Sequence, residues 1–498
     1  MPESASLEIH EINVGQGDSV LIINRNLTQL QTAIQNEVNR RANTPGQLPT
    51  PPDNPIDLMP YAIAHQVPLA GTVVQALLVD GGDDAYGSDV VHYLEAHGAL
   101  VPGTVWTPNL SVLVSHYHDD HMAGLRSVFK EAVKDANGKV SLVERYRPGK
   151  IYQAATAKGT DPKALRFQWF QGDIADAISA SPNPSQRFYV DPGGLIKNKP
   201  AVISLGKGAG NIPIDAYIVA SAQGVYNAAT GKVVRIKSVT NEVDQNDRSI
   251  ALVVEYGSFR YFLGGDIAGN GGPKGGNTGR NAADQQKKKY YSVHADVETD
   301  LGRALEARFP ATAPADRLPN KPKYPNDGYC TVMKADHHGS SSSVDVYFLA
   351  TIRPVVMLIS SGIKSRFHRH PTQQVMYRAT DDEWAVRPVK GQPARPAVDN
   401  TIAQIYITEV AQKVKKKAFT VDIGSAAIVG DIVLRPVDET VTAIQQDTQP
   451  RQLSFQVYGT RVQSDLADKV DTELRPVEDP GAPGDFYPSS PANYSDLH

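Results

Sequence analysis

The chain has 498 residues, 41% apolar and 21% charged, with 50 basic and 54 acidic side chains and a net charge of −4. That length holds several domain-sized units and a sizeable core, and the slightly acidic balance excludes recruitment of a polyanion by an overall basic field. One cysteine, Cys330, excludes an intramolecular disulfide and a thiolate-rich metal site, and the absence of a long apolar run or of a basic-then-apolar leader makes cytoplasmic residence, away from membranes, the expectation.

Leu7 to Ile23 reads as two strands around the tight turn Gly15-Gln16-Gly17-Asp18. Leu27, Leu30, Ile34 and Val38 recur at helical spacing within Asn26 to Ala42. Proline-rich Thr44 to Pro60 is expected as loop, and Val73 to Val79 as the strand that resumes the hairpin and ends at Asp80-Gly81-Gly82. Val90 to His97 and Ala123 to Val133 are expected as helices, with the apolar run Leu110 to Val114 between them as a buried strand. Ile151 to Ala154 reads as a strand, Lys163 to Ile178 as a helix and Ser181 to Pro192 as turn-rich. Val233 to Val239, Ile250 to Glu255 and Phe259 to Leu263 read as strands, the last ending at Gly264-Gly265-Asp266. Ala268 to Lys289 is a flexible loop by composition. Val297 to Phe309 reads as a helix. Thr331 to Lys334 and Val355 to Ile359 read as strands, and Ile402 to Thr408 and Phe419 to Leu434 as closing strands. The last 40 or so residues, rich in proline and acids, are expected to be loosely ordered.

Chemistry concentrates in Ser115-His116-Tyr117-His118-Asp119-Asp120-His121, directly after a buried strand. Three histidines and an aspartate there are costly to leave unpaired, and imidazole and carboxylate are the donors preferred by Zn²⁺ and similar ions. Asp80, Asp266 and the His337/His338 pair also follow apolar strands, and His370 lies in a loop after another. Seven of the 13 histidines, at 116, 118, 121, 337, 338, 368 and 370, fall in three clusters. Strands aligned in shared sheets would bring these ends to one rim.

Asp80-Gly-Gly, His116-x-His118-x-Asp120-His121, Gly265-Asp266 and His337-His338-Gly-Ser together resemble the metallo-β-lactamase superfamily. Val14-Gly-Gln-Gly-Asp18-Ser and the His-His-Gly-Ser element resemble the branch that includes the metallohydrolase domain of the DNA-uptake protein ComEC and the bacterial phosphorylcholine esterases. The resemblance spans about residues 7–435. It implies an α/β four-layer αβ/βα sandwich over 1–436, with inserts near 25–70, 160–245 and 267–328, and a partly disordered extension over 437–498. It also implies two divalent metal ions, Zn²⁺ first and Mn²⁺ second. His116 and His118 would bind one, Asp120 and His121 the other, and Asp266 both. His337 or His338 would complete the first, with the strand-proximal His337 favoured, and His370 the second. Asp80 would stand behind them, bonding a ligand or ordering the rim. The chain departs from the commoner superfamily pattern in having no histidine between 121 and 294, and a role as an uptake pore is not expected.

Two such ions about 4 Å apart can share a hydroxide nucleophile and stabilise charge on phosphoryl or carbonyl oxygens. Asp120 could orient that hydroxide, and His338 or His368 could donate a proton. The first reading is therefore a phosphodiesterase or nuclease, its partner a phosphodiester in a nucleic acid, nucleotide or small molecule. Local cations, Lys364, Arg366 and Arg369 beside His370 and Lys287 to Lys289 in the loop, suit phosphate oxygens. Lys415 to Lys417 reads as a plain hairpin turn. The alternatives are a carboxylic ester, lactone or amide hydrolase on the same site, and a metal-free interaction module.

Overall fold

A computed structural model describes residues 5–436 except 43–46, 54–57, 156–164, 228–229, 237–244, 258, 270–294, 309–329, 363–369, 389–390, 392, 394–395, 410–412, 415–416, 419–425 and 429, together with two strands further on. It is a mixed α/β fold built on two large sheets. The first runs Ala492–Ser495, Ser454–Gly459, Ile432–Pro436, Ala5–Glu11, Val20–Asn26, Val73–Val79, Trp106–Val114, Arg147–Ala154, Gln186–Val190. The second runs Lys232–Arg235, Gly224–Asn227, Pro213–Ser221, Ala251–Tyr256, Phe259–Leu263, Val332–Lys334, Val356–Ile359, Gln404–Ile407, Ala427–Ile428.

Alternation along the strands decides what each face meets. Leu7, Ile9, Val20, Ile22, Leu77, Val79 and Leu113 of the first sheet share one buried cluster with Ile214, Leu252, Val254, Tyr261, Val332, Val356 and Leu358 of the second. The other face of the first sheet, with Leu78, Leu110, Val112 and Val114, meets the helices Gly87–Ala96 and Leu165–Ser179 through Val90, Leu94, Phe167, Phe170 and Ile174. The other face of the second, with Val253, Phe262, Met333 and Met357, meets Val297–Arg308, Val346–Ile352 and Gln373–Ala379. Among the described residues no helix is long and apolar enough to cross a membrane.

Strand direction positions the site. Val73–Val79 and Trp106–Val114 run parallel, so Asp80 and Ser115 leave the first sheet at the same end. Phe259–Leu263, Val332–Lys334 and Val356–Ile359 also run parallel, which gathers Asp266, His337, His338 and Ser360 at one end of the second. The two ends are tied together where the Ile250 amide donates to the Ser115 carbonyl, 3.0 Å.

Several sequence expectations are corrected. Ala123 to Val133 holds only the short helix Arg126–Phe129. It then turns into the exposed hairpin Lys130–Lys134 and Val140–Glu144, where the Val128 and Phe129 carbonyls accept from the Tyr146 and Arg145 amides instead of from a continuing helix. Ser181 to Pro192 contains the strand Gln186–Val190, which adds to the sheet edge beside Arg147–Ala154. Thr44 to Pro60 ends in the helix Leu58–Ala64, whose Met59 and Ala62 cover Leu27, Leu30 and Ile34 of Leu27–Arg41. The segment 160–245 supplies strands to both large sheets. Two stretches of the expected tail, Ser454–Gly459 and Ala492–Ser495, are strands that extend the first sheet from Ile432–Pro436. Lys413–Val414 and Lys417–Ala418 pair as the expected hairpin. Most of the loop expected over Ala268 to Lys289 lies outside the described residues.

Candidate metal centre

Asp80 organises the first-sheet half of the site. It sits in the left-handed region at φ 60°, a conformation that Asp tolerates better than most residues. Its Oδ1 accepts from the Ser115 amide at 2.7 Å, and its Oδ2 accepts from the Ser115 hydroxyl at 2.5 Å and faces His121 Nδ1 at 2.9 Å. These contacts assign the ring protons. His121 must carry hydrogen on Nδ1 to satisfy the carboxylate, which leaves Nε2 a bare lone pair. The Ser115 hydroxyl gives its hydrogen to Asp80, so it accepts from His116 Nδ1, 3.1 Å away. His116 Nε2 is therefore bare as well. It points at His118 Nδ1, 3.1 Å away.

The second sheet closes the site. His338 Nδ1 lies 3.1 Å from the Ser360 carbonyl and 3.1 Å from Asp18 Oδ1, both acceptors. Its Nε2 is thus bare and faces His121 Nε2 at 3.2 Å. Asp266 lies between the two sets of rings. Its Oδ1 is 3.2 Å from His121 Nε2 and 3.4 Å from His338 Nε2. Its Oδ2 is 3.7 Å from His116 Nε2 and 3.6 Å from His337 Nε2. Lone pairs and carboxylate oxygens that converge at such distances repel one another unless a proton or a cation lies between them. The His/Asp groups His116, His118, Asp266 and His121, His338, Asp266, buried except for the half-buried His118, could each hold a metal ion. Asp18 falls in the second cluster, but it contacts the Nδ1 edges of His338 and, at 3.9 Å, of His121. It stands behind the donors. Asp120 Oδ2 flanks the second group, 3.9 Å from His338 Nε2.

Without a cation, charge settles onto protons. Burial works against a charged His121, yet the Asp266 and Asp80 carboxylates outweigh it and hold that imidazole well above its usual range. His338 is likewise raised, against burial, by Asp266 and Asp18. His116 goes the other way: burial and then the neighbouring His121 push it well down. Asp266 is held well below the usual carboxylate range because His121, His338 and His337 overcome its burial.

Of the residues singled out in the sequence, His116, His118, Asp120, His121, Asp266, His337 and His338 converge, with Asp80 behind them. His337 and His338 both reach the centre. Consecutive left-handed residues, φ 48° and 54°, splay the rings to 74°, and each faces a different oxygen of Asp266. His338, expected as a proton donor, turns its bare Nε2 to the donor group. The structure does not bring His370 into either group. It is buried, with its ring 5.8 Å from His337 and 6.2 Å from His338. His368 and the cations Lys364, Arg366, Arg369 and Lys287 to Lys289 lie outside the described residues.

Sequence reading gave no role to Ser115, Lys334, Asn246 or Ser360, and quoted Asp18 only within a motif. Asn246 Nδ2 lies 3.4 Å from His337 Nε2. Lys334 had a readable signal, since a lysine at the end of a short apolar strand is rarely buried without a partner. No protein-family model matches the chain, and no curated protein matches it.

Proposed function

We propose that the chain is a dinuclear metal-dependent hydrolase of the metallo-β-lactamase fold, acting on phosphodiesters in the cytoplasm. The observation that carries this reading is Asp266, whose two oxygens each face a different set of imidazole nitrogens. The shared cluster between the sheets, with helices against both outer faces, supports the four-layer αβ/βα arrangement. His116, His118 and His337 would hold one ion, and His121, His338 and Asp120 the other, with Asp266 between. When bound, such ions, Zn²⁺ first and Mn²⁺ second by donor type, supply Lewis acidity and lower the pKa of water.

The chain's own residues supply orientation and proton handling. Asp80 and Ser115 keep His116 and His121 in the tautomers that present bare nitrogens. Asp120, the more exposed carboxylate, is placed to orient a nucleophile. His370 joins His368 as a candidate proton donor to the leaving group. The phosphodiester class rests on the resemblance of Gly15-Gln-Gly-Asp18 and His337-His-Gly-Ser340 to the branch named above.

The test is elemental analysis of protein reloaded with Zn²⁺ or Mn²⁺, beside turnover of bis-p-nitrophenyl phosphate and of p-nitrophenyl acetate. About two ions with phosphodiester turnover is the expected result. Ions with turnover of the ester alone would replace the substrate class, and no ion under any condition would leave the interaction module.

A further inference from the structure

Lys334 is completely buried at the end of Val332–Lys334, on the same face as Val332, which lies in the cluster between the two sheets. Its Nζ is 2.6 Å from Asp18 Oδ2 and donates to the Ala335 carbonyl at 3.1 Å. Asp18 Oδ1 in turn faces His338 Nδ1 at 3.1 Å. The three side chains form a line, Lys334 to Asp18 to His338, that ends at one donor group and, among the described residues, meets the other only through the shared Asp266. The first-sheet histidines have separate support, since Asp80 serves His121 directly and His116 through Ser115.

We propose that Lys334 is a positioning residue for the ion held by His121 and His338, and that it acts through Asp18. This rests on the metal-binding reading given above. A carboxylate enclosed by protein stays ionised only beside a compensating charge. The nearest contact of Asp18 is the Lys334 ammonium. Asp18 Oδ1 and the Ser360 carbonyl together hold His338 by Nδ1 and leave Nε2 for the ion. Without the ammonium, Asp18 loses the contact that seats its carboxylate, and the Ser360 carbonyl alone is left to orient the His338 ring and the direction of Nε2. The ion held by His116 and His118 has no such dependence. The inference therefore predicts an asymmetric loss, which a general packing defect would not give.

The experiment uses the full chain, stripped with a chelator and titrated with Co²⁺ while its visible d–d bands are followed. Far-UV circular dichroism and thermal unfolding of the stripped protein report the fold. Lys334→Met should weaken one of two binding steps by about 10- to 100-fold, the usual scale for loss of an outer partner, and leave the other step and its spectrum as in wild type. Asp18→Asn should weaken the same step. The paired variant Asp18→Asn with Lys334→Met should lose no more than Asp18→Asn alone, since Lys334 has nothing left to act through. The pair removes both members of the Lys334–Asp18 ion pair together, so it replaces Lys334→Met in the comparison should that variant not fold. Wild-type binding of both ions in Lys334→Met, equal weakening of both steps, or additive losses in the pair would each overturn the inference. Wild type that takes up no Co²⁺ would overturn the metal reading itself, which is a different result.

Discussion

Asp80 Oδ2 lies 2.9 Å from His121 Nδ1, and the same carboxylate takes both the amide and the hydroxyl of Ser115. One residue outside the donor set thus fixes two imidazoles. Asp80→Asn keeps the size and the tolerance of a left-handed backbone, but it sets an amide NH₂ against groups that donate. Metal affinity should fall about 10- to 100-fold, and both groups should be affected. Titration of stripped protein with Zn²⁺ against a competing chelator checks this, and a wild-type isotherm would remove Asp80 from the centre.

Asp266→Asn removes the only carboxylate that faces both sets of imidazoles among the described residues. At least one ion should weaken or leave, and phosphodiester turnover should fall at least about 10²-fold, the scale for loss of one electrostatic stabiliser. If Asp266 did no more than cap the turn after Gly264-Gly265, Asn would serve nearly as well. Metal content and rate of the variant, measured together, separate the two roles.

Gly17 should tolerate no side chain. Its φ is 148°, and a Cβ there would fall inside contact distance of the Asp120 carbonyl oxygen, which also accepts from the Asp18 amide at 3.2 Å. Gly17→Ala should cost about 1–3 kcal/mol from backbone strain and shift Asp120 against the second group. Chemical denaturation gives the first effect and metal titration the second. Full stability with wild-type metal binding would contradict both.

Stripped and loaded protein should respond oppositely to alkali. His121 and His338 are raised above the ordinary imidazole range. In the stripped protein their contribution to stability is therefore fully present below that range and is lost as pH rises through the raised values. Asp266 and Asp18 are lowered, so their contribution is present above the ordinary carboxylate range and lost as pH falls through the lowered values. A bound ion needs deprotonated imidazoles, so its stabilisation grows with pH. Melting temperatures of both forms across neutral to mildly alkaline pH should diverge. Parallel curves would mean that no ion replaces those protons.

A control for folding lies away from the site. Arg25 and Glu8, both fully buried, pair at 2.9 Å, and Arg25 also bonds Thr72 and the His97 carbonyl. Arg25→Met removes the nearest cation of Glu8, leaving Arg435 at 3.9 Å and His10 at 3.4 Å, and should cost about 3 kcal/mol. Metal content per folded molecule should stay at the wild-type level. A change there would show that metal uptake follows general stability.

The strands and helices that carry the site were legible because their signals are local. Leu110, Val112 and Val114 alternate before Ser115, and Leu27, Leu30 and Ile34 recur at helical spacing. The hairpin after Phe129 was not legible, because Ala123 to Val133 has ordinary helix formers and the helix ends where the Val128 and Phe129 carbonyls pair with the Tyr146 and Arg145 amides further along the chain. At the centre, residue types and strand ends gave most donors. They did not separate His337 from His338, a distinction made by two successive left-handed residues that no spacing encodes. Nor did they show the supporting contacts of Lys334, Asp18 and Ser360. Those arise only when two sheets meet, and a linear pattern carries no record of that meeting.

His121 and His338 face each other across 217 residues of sequence. An ion held by both would join the two sheets as a crosslink does, closing that loop in a chain whose one cysteine denies it any internal covalent staple. On the chain-entropy account, tying a loop of that length removes freedom from the unfolded chain worth on the order of 5 kcal/mol. The first donors, at 116 to 121, are synthesised long before the last, so the staple can fasten only after the second sheet has docked. A filled centre would then mark a chain that has finished folding.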